Sequence, residues 1–217
     1  MRMPLKVKTS LLCIILIWAL FLALTKGAAN IPITELLLIE NRQILYLRIM
    51  RLLAAIVTGS GLAVSGIALQ AILRNPLAEP YLLGTSSGAG LGAIIATTIG
   101  LGAIYLPLAA FIGAIASVGL VYVIAKQGGK IPVQSLILSG VIVSVALSGI
   151  IVFLISVAGD KTVHGLMWWL WGSLEAYDLK LFCVVSVVVL AGIIAVFICA
   201  QDLNAMCIGE EEAMHLG

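Results

Sequence analysis

An all-α, polytopic membrane bundle is the fold class this sequence predicts, and three observations predict it. The 217 residues are 62% hydrophobic and only 10% charged, and their mean hydropathy of +1.21 excludes a soluble globular domain and a disordered chain. The apolar residues gather into runs of about 20, the length of helix that crosses a hydrocarbon core. Short charged loops separate the runs, whereas a membrane β-barrel would show weak two-residue alternation. The net charge of +2 implies neither nucleic-acid binding nor an anionic substrate.

Counting runs long enough to span gives about six: 11–25, 52–73, 83–104, 106–125, 132–158 and 181–200. An even number places both ends on one side. The first run is barely long enough, and the fifth is long enough to tilt or extend beyond the membrane. Charge does not orient the bundle, because six Lys and Arg fall on each side; only the N-terminal cluster Arg2, Lys6 and Lys8 favours a cytoplasmic start. MRMPLKVKTS followed by LLCIILIWALFLAL also has the basic and apolar parts of a signal peptide, with Ala28 and Ala29 imitating a cleavage site. Cys13, Cys183, Cys199 and Cys207 form no CxxC pair and read as small apolar fillers. His164 and His215 are isolated in predicted loops and make no metal site, and no cofactor is expected. No internal repeat of 20 to 50 residues is visible.

Residues 74–92, RNPLAEPYLLGTSSGAGLG, break the pattern with charge, proline and glycine between two apolar runs. Pro76 and Pro80 bias the residues before them out of the α region, so the segment reads as a hinge that re-enters a helix near Gly84. The string resembles the NPLA-x-P-x-x-LG-x-x-x-GA pattern of the permease subunits of ABC importers for iron-siderophores, haem and cobalamin, the FecCD-like family. The matching residues are Asn75, Pro76, Leu77, Ala78, Pro80, Leu83, Gly84, Gly88 and Ala89. Members have about ten helices in two inverted halves. The resemblance therefore implies that residues 1–217 are a single transmembrane permease domain, about six spans of ten and incomplete at its C-terminus. It also implies that the first run is a retained helix with a cytoplasmic N-terminus.

Small residues four apart let helix backbones approach in lipid. Gly61 and Ser65, Gly84, Gly88 and Gly92, and Gly140, Ser144 and Ser148 show that spacing in the second, third and fifth runs. For the fifth, the serine face either packs on a neighbour or borders a water-filled path. The resemblance implies the path, with Ser144, Ser148 and Gly149 lining it. Gln70 and Arg74, one turn apart, are expected to face protein or the interface, because arginine at the bilayer centre costs about 2.5 to 3.5 kcal/mol.

Arg48 and Arg51 stand three apart before the second run, placing two cations on one helical face at the membrane boundary. Interfacial snorkelling is one explanation. The resemblance implies another, since the family's R-x-P-R arginines meet acidic side chains of an extracytoplasmic substrate-binding protein; here Met50 replaces the proline. Trp168, Trp169 and Trp171 suit a membrane interface. WLWGSL also resembles the family's W-x-x-G-S-L, which implies that Trp168, Trp171 and Gly172 shape an outer mouth.

Residues 202–217, DLNAMCIGEEEAMHLG, carry a helix-capping candidate in Asn204 and an acidic start, Glu210 to Glu212, for another helix after Gly209. A solvated acidic loop would look the same. The stretch resembles the family's LN-x-x-x-LGEE-A-x-x-LG coupling segment at Leu203, Asn204, Gly209, Glu210, Glu211, Ala213, Leu216 and Gly217, with Ile208 for the usual leucine. That implies a cytoplasmic segment docked on an ATPase. The chain holds no GxxxxGK[ST] motif, so the motor is expected on a separate polypeptide. The resemblance as a whole implies a multi-pass subunit of the bacterial inner membrane, moving an iron-siderophore or related chelate rather than catalysing a reaction. Its expected partners are membrane lipid, a second permease subunit in a homodimer, two ATPase subunits and the binding protein. Haem, cobalamin and a truncated, non-transporting membrane module are the alternatives. An ion-driven carrier would place an ionisable residue at midplane, and the six runs contain none.

Overall fold

Proline and glycine, more than polarity, decide where the helices start and stop. The computed structural model describes residues 4–27, 31–36, 38–157, 170–174 and 178–208. Its helices are α1 (Leu5–Thr25), α2 (Ile33–Leu36), α3 (Arg42–Ile72), α4 (Thr85–Thr98), α5 (Leu106–Ala125), α6 (Val133–Val157), α7 (Leu179–Ile198) and α8 (Ala200–Ile208), with 3₁₀ turns at Ile39–Asn41, Pro80–Leu83 and Ala103–Tyr105. Pro4, Pro32, Pro80, Pro107 and Pro132 all stand just before or within the first two residues of a helix or 3₁₀ turn, where the missing N–H is not needed. Asp178 starts α7 instead through its carboxylate, which accepts from the N–H groups of Lys180 at 2.8 Å and Leu181 at 3.2 Å. Among the described residues the sole extended pairing is the bridge between Gln127 and Lys130. It closes over Gly128 and Gly129, both at positive φ, as a two-residue turn of this kind requires.

Five described helices are long and apolar enough to cross a membrane: α1, α3, α5, α6 and α7. The third expected run, 83–104, differs. Only Thr85–Thr98 is α-helical there, a rise of about 21 Å against a core of about 30 Å. Gly100 at φ 78 ends it, with Gly100 N–H bonded to Thr97 O and Leu101 N–H to Ala96 O, the paired bonds of a Schellman stop. The second run differs in the other direction. α3 begins at Arg42, so Arg48 and Arg51, ahead of the apolar run 52–73, lie on one helix of 31 residues with it. Met50, between the two arginines, lies within the helix and is 4% exposed.

The chain divides into two compact units. One comprises Met1–Ser60 and Leu174–Val189, the other Gly61–Ser173 and Leu190–Gly217. In the first, Leu36 and Met50 are buried. Arg48 Nη1 donates to Leu24 O at 2.8 Å and Thr25 O at 3.1 Å, satisfying carbonyls that the end of α1 leaves open. Gly27 leaves room for the guanidinium, which a Cβ there would approach to 3.2 Å.

In the second unit α4, α5 and α6 pack on one another and on the Pro80–Leu83 turn. Backbones touch where α4 meets α5: a Cβ on Gly88 would stand 2.5 Å from Gly113 O, one on Gly92 would strike Ala109 O, and one on Gly113 would strike Gly88 O. Ile94 of α4 and Val121 of α5 are the largest fully buried side chains among the described residues.

Candidate functional site

The C-terminal end of α3 is built around an arginine in a glycine's conformation. Arg74 has φ 48, the left-handed region, which costs a non-glycine residue roughly 1–2 kcal/mol. Its N–H bonds to Ala71 O at 3.2 Å, and the N–H of Asn75 bonds to Gln70 O at 3.1 Å, so α3 ends in a second Schellman stop. Pro76 disfavours any helical continuation through Asn75. The turn then closes on itself: Asn75 Oδ1 accepts from Leu77 N at 2.9 Å, and Asn75 O accepts from Ala78 N at 3.0 Å. Ala78 is buried, whereas Leu77 is 82% exposed.

Against this turn lies α8. Arg74 Nε donates to Met206 O at 2.8 Å, joining segments 132 positions apart. Met206 sits in the last turn of α8, where the helix dipole favours a cation. A groove of about 550 Å³ opens beside the bond, lined mainly by apolar atoms of Val64, Ile67 and Phe197 with Gln70, Asn75 and Asn204 contributing polar groups. Gln70 Nε2 reaches Ala78 O only at a long 3.5 Å. The two motif-bearing stretches of the sequence thus meet at one place.

From Ala78 the chain passes into the packed helices without a loose segment. Thr85 Oγ1 donates to Pro80 O at 2.8 Å, and Gly84 turns the chain at φ 76. Its carbonyl accepts from Gly88 N at 2.9 Å, Ser117 Oγ at 2.8 Å and Ser87 Oγ at 3.1 Å. A Cβ on Gly84 would come within 2.7 Å of Ser117 Oγ and 3.4 Å of Ser144 Oγ. Gly140 of α6 lies so close under Leu82 O that a Cβ there would strike it.

The structure therefore brings Asn75, Pro76, Leu203 and Asn204 to one groove, while Leu77, Ala78, Pro80 and Gly84 follow along the chain to Gly88 in the α4–α5 contact, and Ser144 faces Gly84. Ser148 and Gly149 lie further along α6 and are exposed, with open space where a Gly149 side chain would be. Arg48 is half-buried against α1, and Arg51 on the same helix is exposed. Trp171 is 74% exposed, and Gly172 follows it at φ 79. Asn204 does not cap a helix: it lies inside α8, which starts at Ala200. Trp168, Trp169, His164, Gly209, Glu210, Glu211, Ala213, Leu216 and His215 fall outside the described residues. All four cysteines are free and exposed, and no group of three or more His, Cys, Asp or Glu among the described residues is placed to hold a metal.

Sequence reasoning missed Gly113 and Ser117. Ala109, Gly113 and Ser117 are small and four apart on α5, the same spacing that marked the other helices. It also missed Met206, whose contribution is a backbone carbonyl that no side-chain pattern advertises.

Comparison with known proteins gives this geometry a context. The FecCD transport family matches residues 14–217. The chain is 37% identical over 175 residues to the cobalamin import system permease protein BtuC of Halobacterium salinarum, covering 79% of this chain and 46% of that protein. It is 34% identical over 180 residues to the hemin transport system permease protein HmuU of Yersinia pestis, covering 80% and 53%. Identity to the achromobactin transport system permease protein CbrC of Dickeya dadantii is 45% over 132 residues, covering 58% and 37%. A solved inward-facing structure of a metal-chelate type ABC transporter superposes with a TM-score of 0.72 at 25% identity, over 95% of this chain and 65% of that one. The chain spans about half the length of the curated relatives it matches. With nearly its whole length matched, this chain belongs to the FecCD transport family.

Proposed function

We propose that the chain is the membrane-spanning permease subunit of an ABC importer that carries a metal chelate inward, with ATP hydrolysed on a separate polypeptide. The observation that carries this reading is the junction of α8 with the Arg74–Ala78 turn, in a chain whose relatives are named as cobalamin, hemin and achromobactin permeases. A helix on which a motor acts needs a rigid route into the membrane helices, and the turn leads directly from α8 to the α4–α5–α6 core. The segment 202–217 is then the cytoplasmic face that two ATPase subunits grip, in a multi-pass inner-membrane protein whose N-terminus is cytoplasmic as well, with α4 and its flanking 3₁₀ turns, residues 80–105, completing a sixth crossing.

Within that reading the permease is a homodimer. Ser148 and Gly149 border its path, and Trp171 and Gly172 shape the outer mouth. Arg51, the more exposed arginine, meets the substrate-binding protein while Arg48 holds α1. An iron-siderophore is the cargo we favour, with haem and cobalamin as the alternatives the relatives supply. The test is reconstitution of the full-length permease that contains this sequence, with its ATPase and binding protein in lipid vesicles, followed by uptake of ferric siderophore, haem and cobalamin in parallel. ATP-dependent uptake of one of the three is expected. Uptake of none, together with failure to co-purify with the ATPase, defeats the proposal.

A further inference from the structure

Arg74 is the only non-glycine among the described residues with a positive φ. At the left-handed position of a Schellman stop glycine is the usual residue, because it adopts that conformation without a Cβ penalty. Backbone geometry alone would therefore favour glycine, and something must offset the strain. What arginine adds is a donor long enough to reach α8: its Nε–H bonds to Met206 O at 2.8 Å. The acceptor lies in the last turn of a helix of nine residues, so the cation and the negative end of the helix dipole attract as well.

The residue on the other side of this bond has no slack. Asn75, next to Arg74, is held by its own turn, Ala78 is buried, and Pro80–Leu83 rests on Gly140 of α6. Gly84 follows, anchored to α5 through Ser117. A shift of α8 that pulls on the guanidinium is transmitted along a chain of fixed bonds and not absorbed by a flexible loop. The open groove beside the bond shows that apolar packing does not fill the space between Phe197 and the last turns of α3.

We infer that Arg74 is the positioning residue through which movement of α8 reaches the α4–α5–α6 core. This rests on the permease reading, since it supposes that an ATPase moves α8. Arg74→Gly is the discriminating variant: it suits the left-handed backbone better than arginine does and removes the side chain's interactions, the bond to Met206 O among them. Two measurements follow. The first is the distance distribution between spin labels on Leu77→Cys and Gln201→Cys, with the four native cysteines changed to serine; it needs neither ATPase nor substrate. A narrow distribution is expected with Arg74 and a broad one with Arg74→Gly. The second is chelate transported per ATP hydrolysed in vesicles, expected to fall about tenfold, the scale of a typical coupling between sites, while ATPase assembly is retained.

An unchanged distance distribution overturns the inference, and so does an unchanged ratio of transport to hydrolysis. A merely structural role for Arg74 would lower assembly, hydrolysis and transport together and leave the ratio fixed. Absence of uptake by the unsubstituted protein sinks the permease reading and this inference with it. That result is told apart from failure of the arginine link alone, in which the unsubstituted protein transports and Arg74→Gly transports equally well per ATP.

Discussion

Two sets of helices in this protein are almost equally apolar and are used in opposite ways. α1 and α7 bury no residue, although α7 has the most apolar window of the five candidate spans. α4, α5 and α6 carry more glycine and serine, and they bury Gly88, Gly90, Ala93, Ile94 and Ala96, then Ala110, Ser117, Val121 and Ala125, then Ser139, Gly140 and Val143. In water the greasiest helix would be the innermost. In lipid a hydrocarbon tail contacts valine as well as another valine does, so apolarity does not sort inside from outside. Size does: the helices that lack side-chain bulk are the ones whose backbones touch.

That contrast is sharpened by substitutions whose effects should fall in a definite order. Gly140→Leu should do the most damage, because its side chain would have to displace the carbonyl of Leu82 and lift the Pro80–Leu83 turn off α6. A loss of about 3 kcal/mol, at the upper end for overpacking, is expected in reversible unfolding in detergent. Ser117→Ala should cost less, about 0.5–1.5 kcal/mol, since Gly84 O keeps its bonds from Gly88 N and Ser87 Oγ. A larger loss would mean that those two bonds do not hold the turn without Ser117. Val187→Ala on α7, 66% exposed, should shift stability by no more than about 0.5 kcal/mol in the isolated chain. A loss above that would show a packed neighbour for α7 and weaken the contrast.

Much of this arrangement was legible in the sequence, and the reasons differ by element. Long apolar runs located α1, α3, α5, α6 and α7 because spanning length is a one-dimensional property. The α4 run misled for the same reason: an apolar stretch was counted by hydropathy, while Gly84 and Gly100, both at positive φ, cut the helix to Thr85–Thr98. The run 52–73 marks only the apolar part of α3, which extends back to Arg42, because a helix longer than the hydrocarbon core carries charge at its end without interruption. The hinge at Asn75–Gly84 was legible because proline and glycine act locally. Its meeting with α8 was not, because the bond from Arg74 ends on a backbone carbonyl, and Asn204, read as a cap, lies within the helix. Arg48 was similarly read for its charge, and its bonds to the end of α1 depend on a pairing of helices that spacing does not encode.

The claim that small residues are there for backbone contact, not for tolerance of lipid, is tested most directly within a single helix. Gly113 and Gly119 both belong to α5. A Cβ on Gly113 would strike Gly88 O, and one on Gly119 would meet nothing within 4 Å. Helix propensity favours leucine over glycine by about 0.5–1 kcal/mol at either place, so that effect cancels in the comparison. The measurement is the melting temperature in detergent of Gly113→Leu beside Gly119→Leu. The account predicts that Gly113→Leu loses its cooperative transition or melts far lower, while Gly119→Leu melts at or above the unsubstituted chain. Equal melting temperatures for the two variants would contradict it.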